Sequence, residues 1–145
     1  MAIVRLLLVT FLACGTVIAD DRRAEVNYML QCQGCHLPEA EGFDGKVPPM
    51  KNFVGYFLHS PEGRDFVIRV PGVSRSALND AELAELMNWL LVTYSAEQLP
   101  HKFSPYTADE VATLRVDPEP NPESTRNIIL ATLADDYPAV AADLE

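Results

Sequence analysis

From residue 21 onward the apolar positions fall at helical spacings, and no stretch alternates convincingly as a strand. In the span Asp21 to Gln31, Ala24 and Tyr28 stand four apart and Cys32 continues the interval, so the three share one helix face. Pro38 to Gly45 reads as a loop punctuated by Gly42 and Gly45, and Val47-Pro48-Pro49-Met50 as an extended stretch stiffened by two prolines. Asn52 to His59 makes a short helix with Phe53, Phe57 and Tyr56 on its apolar side. Ser60 and Pro61 then read as the N-cap and first residue of a helix that runs to about Arg69 and stops before Pro71-Gly72.

The best-defined pattern follows. Asn79 with Glu82 three residues on makes a capping box, and Leu83, Leu86, Met87, Leu90, Leu91 and Tyr94 build a broad apolar face behind it. Beyond Pro100, Thr107 with Glu110 opens a helix ending near Arg115. Asp117 to Pro122 is a proline-rich, semi-rigid link. Glu123 to about Asp136 is a last helix, whose Ile128, Ile129, Leu130 and Leu133 call for burial. The expectation is an all-α protein with one small helical domain over residues 20–99 and a helical C-terminal extension over 100–145. That extension either covers the domain or docks a partner.

The front of the chain differs. Arg5 and the apolar run Leu6 to Ala13, ending on Val17-Ile18-Ala19, read as a secretory signal peptide over residues 1–19. The apolar run is short for a membrane span. Leu12-Ala13-Cys14-Gly15 also resembles a lipoprotein cleavage site, with Phe11 where such sites favour Leu. A membrane role therefore follows only if the leader stays uncleaved or is lipidated. Cleavage after Ala19 removes Cys14 and leaves Cys32 and Cys35. Loss of Arg5 with the leader takes the formal charge from −10 to −11. So acidic a chain is a poor partner for nucleic acid or anionic lipid, whereas a redox partner with a basic docking face would attract it.

The chemistry concentrates in Cys32-Gln33-Gly34-Cys35-His36, a C-x-x-C-H run that reads as a c-type haem attachment site. Two thiols three positions apart can reach two vinyl groups on one haem edge, and the next residue turns an imidazole to the iron. A zinc half-site, a disulfide and a redox dithiol are the alternatives. Zinc needs further ligands, and downstream of the run there is no third or fourth cysteine. A dithiol enzyme expects a βαβ context, which is missing. One covalent haem c is the expected cofactor. Export fits, since c-type haem is attached outside the bacterial cytoplasm. No acid, base or nucleophile set is evident, so an electron carrier rather than an enzyme is expected.

With these residues on the page, the stretch from about Ala24 to Tyr94 resembles the class I cytochrome c family. The Ala24-x-x-x-Tyr28-x-x-x-Cys32 spacing is similar to that family's N-terminal helix, and Leu91-x-x-Tyr94 to the matching pair on its C-terminal helix. The resemblance implies that these helices cross and close a haem crevice. Val47-Pro48-Pro49-Met50 is similar to the family's Gly-Pro-x-Leu segment, which implies that the Pro48 carbonyl accepts a hydrogen bond from the His36 ring. Cys32 and Cys35 would hold the haem and His36 the iron, with Tyr28, Leu86, Leu90 and Pro48 in the haem environment. Trp89 reads as core.

The departure lies in Val70-Pro71-Gly72-Val73-Ser74-Arg75-Ser76-Ala77, where the family carries an axial methionine and this chain has neither Met nor His. Met50 is a candidate second axial ligand, although the same alignment puts it on the His36 side as packing. His59 is another candidate, while Met87 reads as core and His101 as surface. The functional expectation is a periplasmic single-haem carrier between redox partners, or the electron-transfer subunit of a dehydrogenase or oxidase system. The alternative is a haem-based small-ligand sensor or binding protein with an open distal site.

Overall fold

The computed structural model describes the backbone of residues 16–144 and side chains from Asp21 to Leu144. The leader expected over residues 1–19 therefore lies outside the described residues up to Gly15. Helix α1 spans Thr16–Gln31, the one-turn α2 Gln33–His36, α3 Pro61–Arg69, α4 Pro71–Ser74, α5 Asp80–Ser95, α6 Ala108–Arg115, α7 Pro122–Leu133 and α8 Pro138–Asp143. Val54–His59 and Ala96–Gln98 form 3₁₀ turns. Among the described residues the only β pairing is an isolated antiparallel bridge between Phe43 and Val47. The all-α class holds.

Local chemistry starts these helices. The Ser60 side chain accepts from Gly63 N at 3.0 Å, with Pro61 at the first helical position of α3. At α5, Asn79 Oδ1 accepts from Glu82 N at 2.9 Å while the Glu82 carboxylate accepts from Asn79 N at 3.2 Å, so two orphan donors are satisfied reciprocally. Thr107 caps α6 by accepting from Glu110 N at 3.1 Å. Two short helices escape the apolar pattern. In α4 and α8, Pro71 and Pro138 open a helix instead of merely ending what precedes them.

The core is a continuous cluster under α5. Leu83, Leu86, Leu90 and Leu91 are almost wholly buried, each worth about 1.5–3 kcal/mol of apolar burial. Helix α1 packs on α5, and the fully buried Ala24 allows the close approach. Tyr28 of α1 meets Trp89 and Tyr94 of α5 with ring centroids 5.8 and 5.3 Å apart, and the latter two are 5.6 Å from each other. These tilted and edge-on contacts add to the packing.

The helices after residue 100 pack on those before it, α6 on α3 and α5 and α7 on α3. Val111 and Leu130 are fully buried, and Ile129 and Leu133 nearly so, whereas Ile128 stays 64% exposed, contrary to the expectation that it too needs burial. Helix α7 turns one stripe inward, and Ile128 falls off it. Polar anchors fix the rest. Asn88 of α5 grips the backbone of Tyr106 on both sides, at 2.9 Å to its O and 2.7 Å from its N. Arg64 of α3 makes a forked pair with Glu110 at 2.6 and 2.8 Å and lies over the Tyr106 ring at 4.1 Å. Arg115 reaches back to the carbonyls of Ser74, Ser76 and Leu78 at 3.1, 2.7 and 2.8 Å and to Asp80 at 3.0 Å. One guanidinium thus holds the whole segment between α4 and α5.

The Arg64 pair sets a pH dependence. Its guanidinium holds the Glu110 carboxyl below the usual range. A carboxyl depressed in the folded state binds its proton more tightly when unfolded. The pair's contribution is therefore complete above the unfolded glutamate value of about 4.3 and is lost as pH falls through the lower folded value. Glu110→Gln should flatten this acid limb in denaturant titrations from pH 7 to pH 3. An acid limb as steep as that of the unmodified protein would show that Glu110 does not contribute.

Candidate functional site

The site begins where α1 ends. Cys32 N donates to Tyr28 O at 2.9 Å, which carries the helix one step further. Cys35 N and His36 N then both donate to Cys32 O, at 3.1 and 2.9 Å, and Leu37 N to Gln33 O at 2.9 Å. Two thiols and an imidazole therefore leave one turn of backbone. The thiols are free: Cys32 is half-buried and Cys35 exposed. Burial, with the neighbouring Cys35 second, pushes the Cys32 thiol up to about 11. A dithiol oxidoreductase depends on the opposite shift, so this environment does not suit that chemistry.

His36 is half-buried, and desolvation lowers its pKa, which favours the neutral ring that binds metals. Gly42 N donates to His36 O at 3.1 Å, and the Phe43–Val47 bridge turns the loop back so that Val47 and Pro48 run past Gly42. The Pro48 carbonyl acts on the His36 ring and favours its protonated form. The hydrogen bond implied by resemblance is nonetheless not closed: Nδ1 is buried without a partner in bonding geometry. Pro48 is brought to the expected neighbour but stops short of the expected bond.

Tyr28 is buried as expected, and its hydroxyl has a role that spacing does not reveal. It donates to Leu37 O at 2.6 Å, while Tyr94 Oη donates to Pro38 O at 2.9 Å. Burial raises both phenols, so both remain donors at neutral pH. Leu86 and Leu90 are buried core residues of α5, and Trp89 packs partly buried against the same core. Met87 is buried and His101 exposed, as read from sequence.

Of the two candidate axial ligands, His59 is otherwise engaged. Its Nε2 faces Gln98 O at 2.9 Å, so it must donate, and its Nδ1 lies 2.7 Å from Tyr137 Oη. Both ring nitrogens hold other parts of the chain. Met50 is partly buried against the core, and its backbone N donates to Ala40 O at 2.8 Å. That ties it to the loop after His36. The segment from Val70 to Leu78 forms α4 and turns Val70, Val73 and Leu78 toward the core. It offers aliphatic carbon and no ligating side chain.

The residues fit a covalently held haem. They present two unpaired thiols, a half-buried imidazole whose neutral form burial favours, and aromatic and aliphatic side chains behind them. Zinc does not fit, because no three His, Cys, Asp or Glu side chains group for a metal ion among the described residues. Nor, among those residues, is any helix long and apolar enough to cross a membrane.

Comparison with known proteins agrees. A cytochrome c-552 from one strain of Thermus thermophilus is 29% identical over 129 residues, covering 77% of this chain and 86% of that protein. Another cytochrome c-552 of Thermus thermophilus is 30% identical over 103 residues, covering 59% of this chain and 79% of that protein. No family model and no solved structure matches the chain.

Proposed function

The chain belongs to the c-type cytochromes, proteins of electron transfer and not enzymes, and from that premise we propose an exported, periplasmic carrier with one covalent haem c. It passes electrons between redox proteins or serves as the electron-transfer subunit of a dehydrogenase or oxidase system. The observation that carries this reading is the single turn from which Cys32, Cys35 and His36 all project. When bound, haem supplies a one-electron ferric–ferrous couple. Cys32 and Cys35 would hold it through thioethers, and His36 would supply a neutral nitrogen to the iron. Tyr28, Leu86 and Leu90, buried in the adjoining core, would keep that side of the site apolar, which lowers the local dielectric and so bears on the potential. The net charge, −10 for the full chain and −11 once Arg5 is removed with the leader, favours a partner with a basic face.

The test is direct. Protein purified from the periplasm should carry haem that survives denaturing electrophoresis, begin at Asp20, and titrate as a single one-electron couple. A mature chain with no bound haem, or with two couples, would end the proposal.

A second reading concerns the sixth position on the iron. The aliphatic segment from Val70 to Leu78 and the two occupied nitrogens of His59 favour a distal site open to small ligands. Met50 is the candidate methionine for closing it. Ferrous protein that takes up carbon monoxide rapidly, with spectra unchanged by Met50→Ala, supports the open site and makes Met50 packing. A ferric far-red band that disappears in Met50→Ala, with no carbon monoxide uptake by the unmodified protein, makes Met50 the ligand.

A further inference from the structure

We propose that Tyr28 and Tyr94 are positioning residues for His36, acting through the two carbonyls that follow it in the chain. The inference rests on His36 as the iron's imidazole, the reading given above.

Leu37, the residue after His36, has φ 65° and ψ 168°, a combination that essentially only glycine occupies. A leucine persists there only where its surroundings over-determine it. Pro38 follows and keeps the ψ of Leu37 extended. Relaxation must therefore go through φ. Rotation about that bond swings the peptide joining His36 to Leu37, and so moves the imidazole's own backbone.

Three hydrogen bonds resist this rotation. Gly42 N holds the carbonyl of His36 at 3.1 Å. The Leu37 carbonyl takes the Tyr28 hydroxyl at 2.6 Å, and that of Pro38 takes the Tyr94 hydroxyl at 2.9 Å. The two phenols come from different helices, α1 and α5, and their rings touch each other and Trp89. The packing of the two helices is thereby transmitted to the backbone beside His36. Satisfying two carbonyls would not by itself require a strained leucine between histidine and proline. Two helix-borne donors, one on the strained residue and one on the proline that follows it, are the arrangement expected of a positioning device.

The experiment compares Tyr28→Phe, Tyr94→Phe and their combination in the haem-loaded protein, each with and without Leu37→Gly. Reduction potential and the ferric low-temperature electron paramagnetic resonance spectrum are read. Loss of both hydroxyls should shift the potential and split or broaden the ferric signal, as His36 samples more than one orientation. Leu37→Gly should restore both, because glycine occupies this backbone without strain and needs no pins. A potential and spectrum like the parent's, even with lowered stability, overturn the proposal and leave the phenols as packing. A shift that Leu37→Gly fails to reverse also overturns it. If the double variant does not mature, Tyr94→Phe with and without Leu37→Gly carries the same comparison. A parent spectrum with no imidazole signature removes the His36 reading, and the proposal with it, before any tyrosine is changed.

Discussion

Cys32→Ala combined with Cys35→Ala should give an exported chain that retains no haem after denaturation, while each single substitution should keep a weakened, single-tethered form. The two thiols leave the same turn, and both are free of any disulfide. Neither has a substitute. Cys14 falls in the stretch proposed as a cleaved leader, and the sequence contains three cysteines in all. The loss extends beyond the cofactor. A c-type haem would add a large apolar surface for α1, α5 and their neighbours to pack on, and apolar burial is worth roughly 25 cal/mol per Å². The double variant should therefore unfold at a markedly lower temperature than the haem-loaded parent. The measurements are intact mass, haem-dependent peroxidase staining after electrophoresis, and thermal unfolding by circular dichroism. Full covalent loading of the double variant would sink the attachment assignment. Equal stability with and without haem would sink the claim that the fold is built around it.

Local chemistry in the sequence announces most of the helices. Ser60 with Pro61, Asn79 with Glu82, and Thr107 with Glu110 cap helices where their spacing says they should, because a cap is an interaction across three residues. The apolar face of α5 is legible for the same reason. Helices α4 and α8 are not, since four and six residues are too few to show a period and the proline that opens each also reads as a stop. At the site, the spacing of Cys32, Cys35 and His36 stands out because the proposed attachment chemistry asks for it, and the structure gives the three one turn of backbone.

The supporting contacts are long-range and leave no local pattern. Tyr28 and Tyr94 reach carbonyls nine and fifty-six positions away, and Arg115 holds a segment some forty residues upstream. The strain at Leu37 is hidden for another reason: a positive φ is expected at glycine, and this one falls on leucine. The His59 nitrogens show the converse. A histidine in a plausible region reads as a ligand until Tyr137, at the start of α8, is folded onto it.

Gly42→Ala is the substitution expected to damage the fold most near the site, and Gly45→Ala calibrates it. Both glycines sit at nearly the same positive φ, 67° and 68°. An alanine pays the same backbone penalty at either, about 1 kcal/mol. Their surroundings differ. At Gly45 an added methyl meets nothing within 4 Å. At Gly42 it would overlap the Val47 carbonyl oxygen and meet the Pro48 oxygen at 2.9 Å, both of them backbone atoms that no side-chain rotation can move. Relieving that contact means shifting the strand-like turn that carries Pro48 to His36, an overpacking cost of about 1–3 kcal/mol beyond the dihedral penalty. Gly42→Ala should thus cost about 3 kcal/mol and Gly45→Ala about 1, read as denaturant midpoints at constant slope. Because the displaced atoms include the carbonyl acting on His36, Gly42→Ala should also change the reduction potential, and Gly45→Ala should not. Equal losses of stability would mean that backbone conformation alone governs this loop. A Gly42→Ala protein with an unchanged potential would show that Pro48 has no hold on the imidazole.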